Sequence, residues 1–214
     1  MIELDFPGAT AKITPHVLVL RSEHPLHVLS SAVVNGGLTR TRYIINHHVD
    51  KSYGHSDPVN DLRNFASGNG VDEPFVGLMT AVRLHRARAV THRAGDLTVA
   101  VVVTAGLSNA TAAGLSRPAT LTSGTINLTL LIDARLTPAA MVNAVVTATE
   151  AKTHVLLARG VRTPEGQPAT GTSTDAVVVA CTERGEPLPY AGPATRVGWL
   201  IGQCVRHVLE EALE

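Results

Sequence analysis

The sequence predicts an α+β fold: a mixed, largely antiparallel sheet packed by two long helices from the C-terminal half. Three observations carry that expectation. The first fifty residues hold short β-branched segments broken by His-Pro and Asn-Gly-Gly. Long helical patterns begin at Thr137-Pro138 and near Pro193. Strands and helices do not alternate along the whole chain, as a doubly wound sheet requires. An α/β layered sandwich is the alternative. A length of 214 residues suits one core, so residues 1–214 are expected to form a single domain.

Segments 11–13, 17–20, 28–34 and 43–45 read as strands. Asp57-Pro58 opens a short helix that stops at Gly68-Asn69-Gly70. Segments 75–82, 88–91 and 97–104 return to strand character, the last two as a hairpin across Ala94-Gly95-Asp96. Segment 128–132 is an apolar strand that only Thr129 interrupts. Thr137 then caps a helix with Pro138 in its first turn. That helix turns Met141, Val145, Ala148, Val155 and Leu156 inward and ends near Gly160. Segment 176–180 is a second buried strand. From Pro193 a final helix keeps Val197, Leu200, Ile201, Cys204, Val208 and Leu209 on one face. Gly124-Thr125 and Gly171-Thr172 each precede a polar residue, a short apolar strand and a Pro-initiated helix. A repeated unit of that kind places both polar clusters at one end of a shared sheet.

Net charge is zero and aromatic residues make up 3%, which argues against nucleic acid, a ligand that needs a basic footprint and stacking platforms. The densest basic run, Arg83 to Arg88, reads as a solvated strand edge. The two cysteines, Cys181 and Cys204, lie in apolar contexts and read as buried inert thiols. The first residues lack the basic and apolar regions of a secretion signal, and no apolar run reaches the ~18 residues of a membrane span. A cytoplasmic protein is expected, and a homo-oligomer is left open. No phosphate-loop lysine, G-x-G-x-x-G, H-E-x-x-H or G-x-S-x-G is present.

What the chain does hold is a set of small, polar islands beside apolar runs. They offer hydroxyls, carboxamides and backbone N–H groups where ordinary loops carry charge, and their glycines let a ligand approach. That chemistry suits a neutral ligand studded with amides. Asp175 follows three hydroxyl residues and starts a buried strand, so it can accept bonds from its own turn or serve as a general base. Asn35, Asn109 and Asn127 can donate to an oxyanion. Lys152, one of three lysines, sits between small residues and either snorkels outward or faces a ligand. Glu150 and His154 share a helix face and read as solvated. His47 and His48 are adjacent on a strand and point to opposite faces, so they do not easily share one metal ion.

Taken together, Ser30-Ser31-Ala32-Val33-Val34-Asn35-Gly36-Gly37, Gly77-Leu78-Met79-Thr80-Ala81, Thr104-Ala105-Gly106-Leu107-Ser108-Asn109-Ala110, Gly124-Thr125-Ile126-Asn127, Glu150-Ala151-Lys152 and segment 169–176 resemble the CbiZ family of adenosylcobinamide amidohydrolases. The resemblance runs from about residue 28 to the C-terminal helix. One departure is Ser173, which stands where a glycine is expected in a Gly-Thr-Gly-Thr-Asp run. The resemblance implies hydrolysis of the amide that joins the aminopropanol arm to the corrin ring, giving adenosylcobyric acid for cobalamin synthesis. The cobalt corrinoid is then the substrate and small-molecule partner, with no cofactor or metal of the protein's own assigned.

On this reading the catalytic candidates are Asp175, Asn35 and Lys152. The substrate-binding candidates are Ser31, Gly36, Gly37, Asn46, Thr104, Ser108, Asn109, Thr125, Asn127, Thr172 and Thr174. Two other readings stand beside it: a corrinoid-binding protein that catalyses nothing, and covalent catalysis by Ser31, Ser108, Thr125 or Thr172.

Overall fold

A computed structural model describes residues 2–71, 73–118 and 124–214. The first strands are β1 (Ala9–Ile13), β2 (Val17–Ser30) and β3 (Gly37–His48), followed by helix α1 (Pro58–Gly68) and β4 (Phe75–Thr80). The hairpin β5 (Arg88–Ala94) and β6 (Leu97–Ala105) comes next, then the short β7 (Ala110–Thr111) and β8 (Ile126–Ile132). Helix α2 (Pro138–Ala158), the short β9 (Gly171–Thr172), β10 (Ala176–Cys181) and helix α3 (Arg196–Ala212) complete the chain.

The main sheet runs β4-β3-β2-β10-β8-β6-β5, with β1 added antiparallel to β2. Only β3–β4 and β8–β10 pair in parallel, so the fold is α+β with a mixed, mostly antiparallel sheet. β8 is buried along its whole length because both of its faces are covered. One face packs on α2 and α3, through Leu128, Leu130, Val179, Met141, Ile201 and Val205 among others. Each such fully buried side chain contributes about 1.5–3 kcal/mol.

The other face is concave. Asn46 on β3 and Asn127 on β8 are separated by two intervening strands, roughly 14 Å at the usual ~4.8 Å spacing. Their side chains nevertheless hydrogen-bond at 3.1 Å. The sheet therefore curls, bringing β3 and β4 over β8 and enclosing a second core around Leu20, Val28, Ile44, Leu78 and Val178.

Local signals placed several elements well. Asp57 accepts from Asn60 N to cap α1, and Thr137 accepts from Ala140 N to cap α2. Several boundaries moved, among them β3, which spans Gly37–His48 where segment 43–45 was expected. The expected segments 17–20 and 28–34 are one strand, β2, whose register shifts between Arg21 and Leu26 instead of ending. Beyond Ser30 the chain turns, with Asn35 at φ 53° and Gly37 at φ 85°, so 31–34 is not strand. Helix α3 begins at Arg196 because the Thr195 hydroxyl, three residues after Gly192, caps Gly198 N. The basic run is only partly an edge: residues Leu84–Arg86 form a short 3₁₀ turn that buries Leu84, and Arg88 opens edge strand β5.

The expected repeat of polar clusters is real in one respect. β8 and β10 lie parallel and side by side, with Asn127 opposite Ala176, so residues 124–127 and 171–175 occupy the same end of the sheet.

Candidate active site

Residue Asp175 sits at the start of β10, and α2 runs back toward that end of the strand. An apolar stripe of α2 (Met141, Ala144, Ala148, Val155) packs on the sheet, and Lys152 falls within it. A buried ammonium requires a partner. Lys152 Nζ pairs with Asp175 Oδ2, the two side chains being 8% and 14% exposed.

The other carboxylate oxygen is held as firmly. Thr172 Oγ1 donates to Asp175 Oδ1, and Ile126 N donates to the same oxygen at 3.1 Å. Residue Gly171 makes room for this arrangement: a Cβ there would stand 2.5 Å from Asp175 Oδ2 and 2.8 Å from Lys152 Nζ. The backbone of 124–126 is stitched to the same turn. Thr125 Oγ1 donates to Thr174 O at 2.8 Å, and Thr174 Oγ1 donates to Gly124 O at 2.6 Å.

On the concave side lies a second polar cluster. Asn127 Nδ2 donates to Asn46 Oδ1 and to Met79 O, while Asn127 Oδ1 lies 3.2 Å from the Thr125 hydroxyl and shares its one hydrogen with Thr174 O. Asn46 Nδ2 donates in turn to Thr104 Oγ1 at 3.0 Å. All four side chains are buried, so the network is internally satisfied.

Two hollows flank these clusters and share Ser31. One, about 460 Å³, lies between α2 and the sheet and reaches Lys152, Asp175, Val142 and Val145. The other, about 710 Å³, opens on the concave side and is lined by Thr125, Asn127, Thr174, Met79 and Thr80. It continues through Asp50, Lys51, Ser52 and Ala81 into a trough of about 1010 Å³. These volumes match small-molecule sites, typically ~300–1,000 Å³.

Sequence reasoning nominated residues that the structure gathers and others that it does not. Asp175, Lys152, Thr172, Thr174, Thr125, Asn127, Asn46, Thr104 and Ser31 converge on this end of the sheet. Ser108 and Asn109 join them through the β7–β9 pairing, covering the Cα of Gly124. The Asn109 Nδ2 group donates to Ser173 Oγ at 2.7 Å, so the serine that replaces an expected glycine ties two loops together. Asn35 is placed elsewhere. It is exposed in the β2–β3 turn, lines a separate hollow beside Glu73, and donates to Phe75 O at 2.7 Å. Gly36 and Gly37 serve that turn, where a Cβ at Gly36 would stand 2.6 Å from Ala32 O. Of the Tyr190–Pro193 island only Ala191 is buried; its carbonyl accepts from Thr147 on α2, away from the hollows.

Glu150 and His154 are both exposed, as a solvated helix face requires. His47 stacks on Phe65 with ring centroids 3.9 Å apart, and burial lowers its pKa. His48 faces the opposite side. Among the described residues, no three His, Cys, Asp or Glu groups converge as a metal cluster, and no helix is long and apolar enough to cross a membrane. Residues missed by sequence reasoning are Gly171, Ile126 and Met79. Gly171 was legible as part of the 169–176 motif, but backbone donors and acceptors carry no residue-type signal.

The curled sheet with two helices on one face, and a carboxylate–ammonium centre beside a hydroxyl-lined cavity, define an α+β protein with an enzyme-like site. Comparison with known proteins then fixes the family. The family model for CbiZ, adenosylcobinamide amidohydrolase, matches residues 7–214. An adenosylcobinamide amidohydrolase of Methanosarcina mazei is 33% identical over 193 residues, covering 86% of this chain and 88% of that protein. One from Halobacterium salinarum is 41% identical over 144 residues, covering 64% of this chain and 58% of that protein. A solved structure, the PH0078 protein from Pyrococcus horikoshii, superposes with a TM-score of 0.51 over 97% of this chain and 79% of its own, at 14% identity, which speaks to fold alone. The chain belongs to the CbiZ family of adenosylcobinamide amidohydrolases and is a hydrolase.

Proposed function

We propose that the protein cleaves the amide joining the aminopropanol arm to the corrin ring of adenosylcobinamide, releasing adenosylcobyric acid and the amino alcohol. The acid then re-enters cobalamin synthesis. The observation that carries this reading is the buried Lys152–Asp175–Thr172 centre, whose Lys152 and Asp175 line the 460 Å³ hollow that shares Ser31 with the larger cavity. A corrin is a broad apolar disc rimmed by amides, and such a rim pairs with Ser31, Thr125 and Thr174 better than with charged groups.

Water adds to the amide carbonyl as Asp175 takes its proton, and Lys152 stabilises the oxyanion. Collapse breaks the C–N bond, with the proton passing to the departing amine. The three asparagines expected as oxyanion donors have internal tasks: Asn127 donates both amide hydrogens inside the protein, Asn35 serves Phe75 O and Asn109 serves Ser173. Lys152, the ammonium paired with Asp175, is the charge stabiliser on this reading.

A second reading has one observation in its favour. Thr172 Oγ1 donates directly to Asp175, the geometry of a hydroxyl nucleophile beside its base. Incubating the purified protein with adenosylcobinamide and identifying the products tests the first reading; recovery of intact substrate alone counts against it. Turnover by Thr172→Ala, with no acyl adduct by mass spectrometry, separates water attack from the covalent route.

A further inference from the structure

The imidazole of His48 stands at the end of β3 on the concave side and lines the 1010 Å³ trough. Its Nδ1 lies 3.2 Å from Thr80 O. A carbonyl only accepts, so in the neutral ring Nδ1 carries the hydrogen and Nε2 keeps its lone pair. Val49 N donates to the same carbonyl at 2.9 Å, fixing the strand end that sets the ring's position. A ring whose N–H is anchored on a backbone carbonyl, with the other nitrogen unprotonated, is the usual arrangement of a metal-binding histidine. Among the described residues, Nε2 has no hydrogen-bond partner in the protein. His16 and His85 line the same trough, but both are exposed and neither ring is anchored.

We propose that His48 Nε2 is an axial ligand to the cobalt of the bound corrinoid, a role that rests on the corrinoid reading given above. The imidazole lone pair forms the Co–N bond as the axial water leaves, with no change of oxidation state. The trough then holds the disc. The 710 Å³ cavity that adjoins it at Asp50, Lys51, Ser52 and Ala81 takes the rim, and the scissile arm passes Ser31 to reach Lys152 and Asp175 in the 460 Å³ hollow. His47 cannot take this part, because its ring lies on Phe65 with Nδ1 on His16 O.

The test is frozen-solution electron paramagnetic resonance of the full chain loaded with cob(II)inamide, whose unpaired electron lies along the axial direction. Wild type should show each cobalt line split by one nitrogen. The pattern should change when the protein is made with ¹⁵N-histidine, a readout that needs no variant. His48→Gln should lose the splitting while still retaining the corrinoid on gel filtration, whereas His16→Gln and His85→Gln should keep it. An unsplit spectrum in wild type that retains corrinoid and hydrolyses adenosylcobinamide overturns the ligand and leaves the hydrolase reading intact. Splitting that survives His48→Gln also overturns it. Failure of wild type to retain or cleave any corrinoid overturns both.

Discussion

Lys152 and Asp175 are paired across twenty-three residues of sequence, from the apolar stripe of one helix to the first turn of a buried strand. Removing either charge strands the other in a site with little water. Asp175→Asn should abolish hydrolysis of adenosylcobinamide and also destabilise the fold by about 3–5 kcal/mol, the usual result of breaking a buried pair. The double variant Lys152→Met with Asp175→Asn should recover much of that stability without recovering activity. Urea denaturation and product analysis on the same preparations check both outcomes, and full activity in Asp175→Asn removes the carboxylate from the mechanism.

Gly171 lies under this pair. A methyl group there would press on both Asp175 Oδ2 and Lys152 Nζ, so Gly171→Ala should push the carboxylate off its place. Displacements of about 1 Å in a catalytic group lower rates on the order of 10²-fold. The expected signature is a fall in kcat with a smaller drop in unfolding midpoint than Asp175→Asn produces, because the pair is displaced and not removed.

The buried amide network on the concave side is a structural element first. Asn127→Leu would leave Met79 O and Asn46 Oδ1 without donors, at a cost of about 1–3 kcal/mol for each unsatisfied group. Thermal unfolding should register that loss. An unchanged midpoint would mean that the curl of the sheet does not depend on this contact.

Two cysteines report on the helical face of the core. Burial pushes both thiols up to about 12, for Cys181 inside β10 and for Cys204 against Val99 O. Neither should react with iodoacetamide in the native protein at neutral pH, and both should react on unfolding. Because the folded pKa lies above the unfolded 9.0, the thiols' contribution to stability is complete below pH 9 and is lost as pH rises toward 12.

The acid limb has the opposite sign. Burial lowers the pKa of His47, and burial together with His207 lowers that of His92. Their contribution is therefore full above the unfolded value of 6.5 and is lost as pH falls through the folded values. Denaturant midpoints should decline below about pH 6.5, and His47→Phe, which keeps the stack on Phe65, should reduce that decline.

Sequence revealed those parts of the molecule whose causes are local. Helices α1 and α2 begin where Asp57 and Thr137 announce them, since a cap and a following proline act within one turn. The β5–β6 hairpin was legible for the same reason. β2 reads as two strands because His24-Pro25 looks like an end, whereas the strand carries that proline at a register shift and continues. The site followed the same rule. Asp175 and Lys152 each stood out by chemistry, but their pairing depends on α2 returning to the start of β10. Asn35 resembles a site residue in composition, but the positive φ of its turn and its bond to Phe75 O account for its presence. The curl that joins Asn46 to Asn127 is a property of the whole sheet, so no window of sequence displays it.

The unit β8–α2–β10 supplies Thr125, Asn127, Lys152, Thr172 and Asp175 within fifty-one consecutive positions. Most of the trough wall, by contrast, comes from residues before position 86. On the proposed reading, the reacting groups and the wall that holds the ring are then encoded by separate stretches of the gene. Variation in the first stretch would then retune which ring is admitted while the proposed bond-breaking groups pass unchanged.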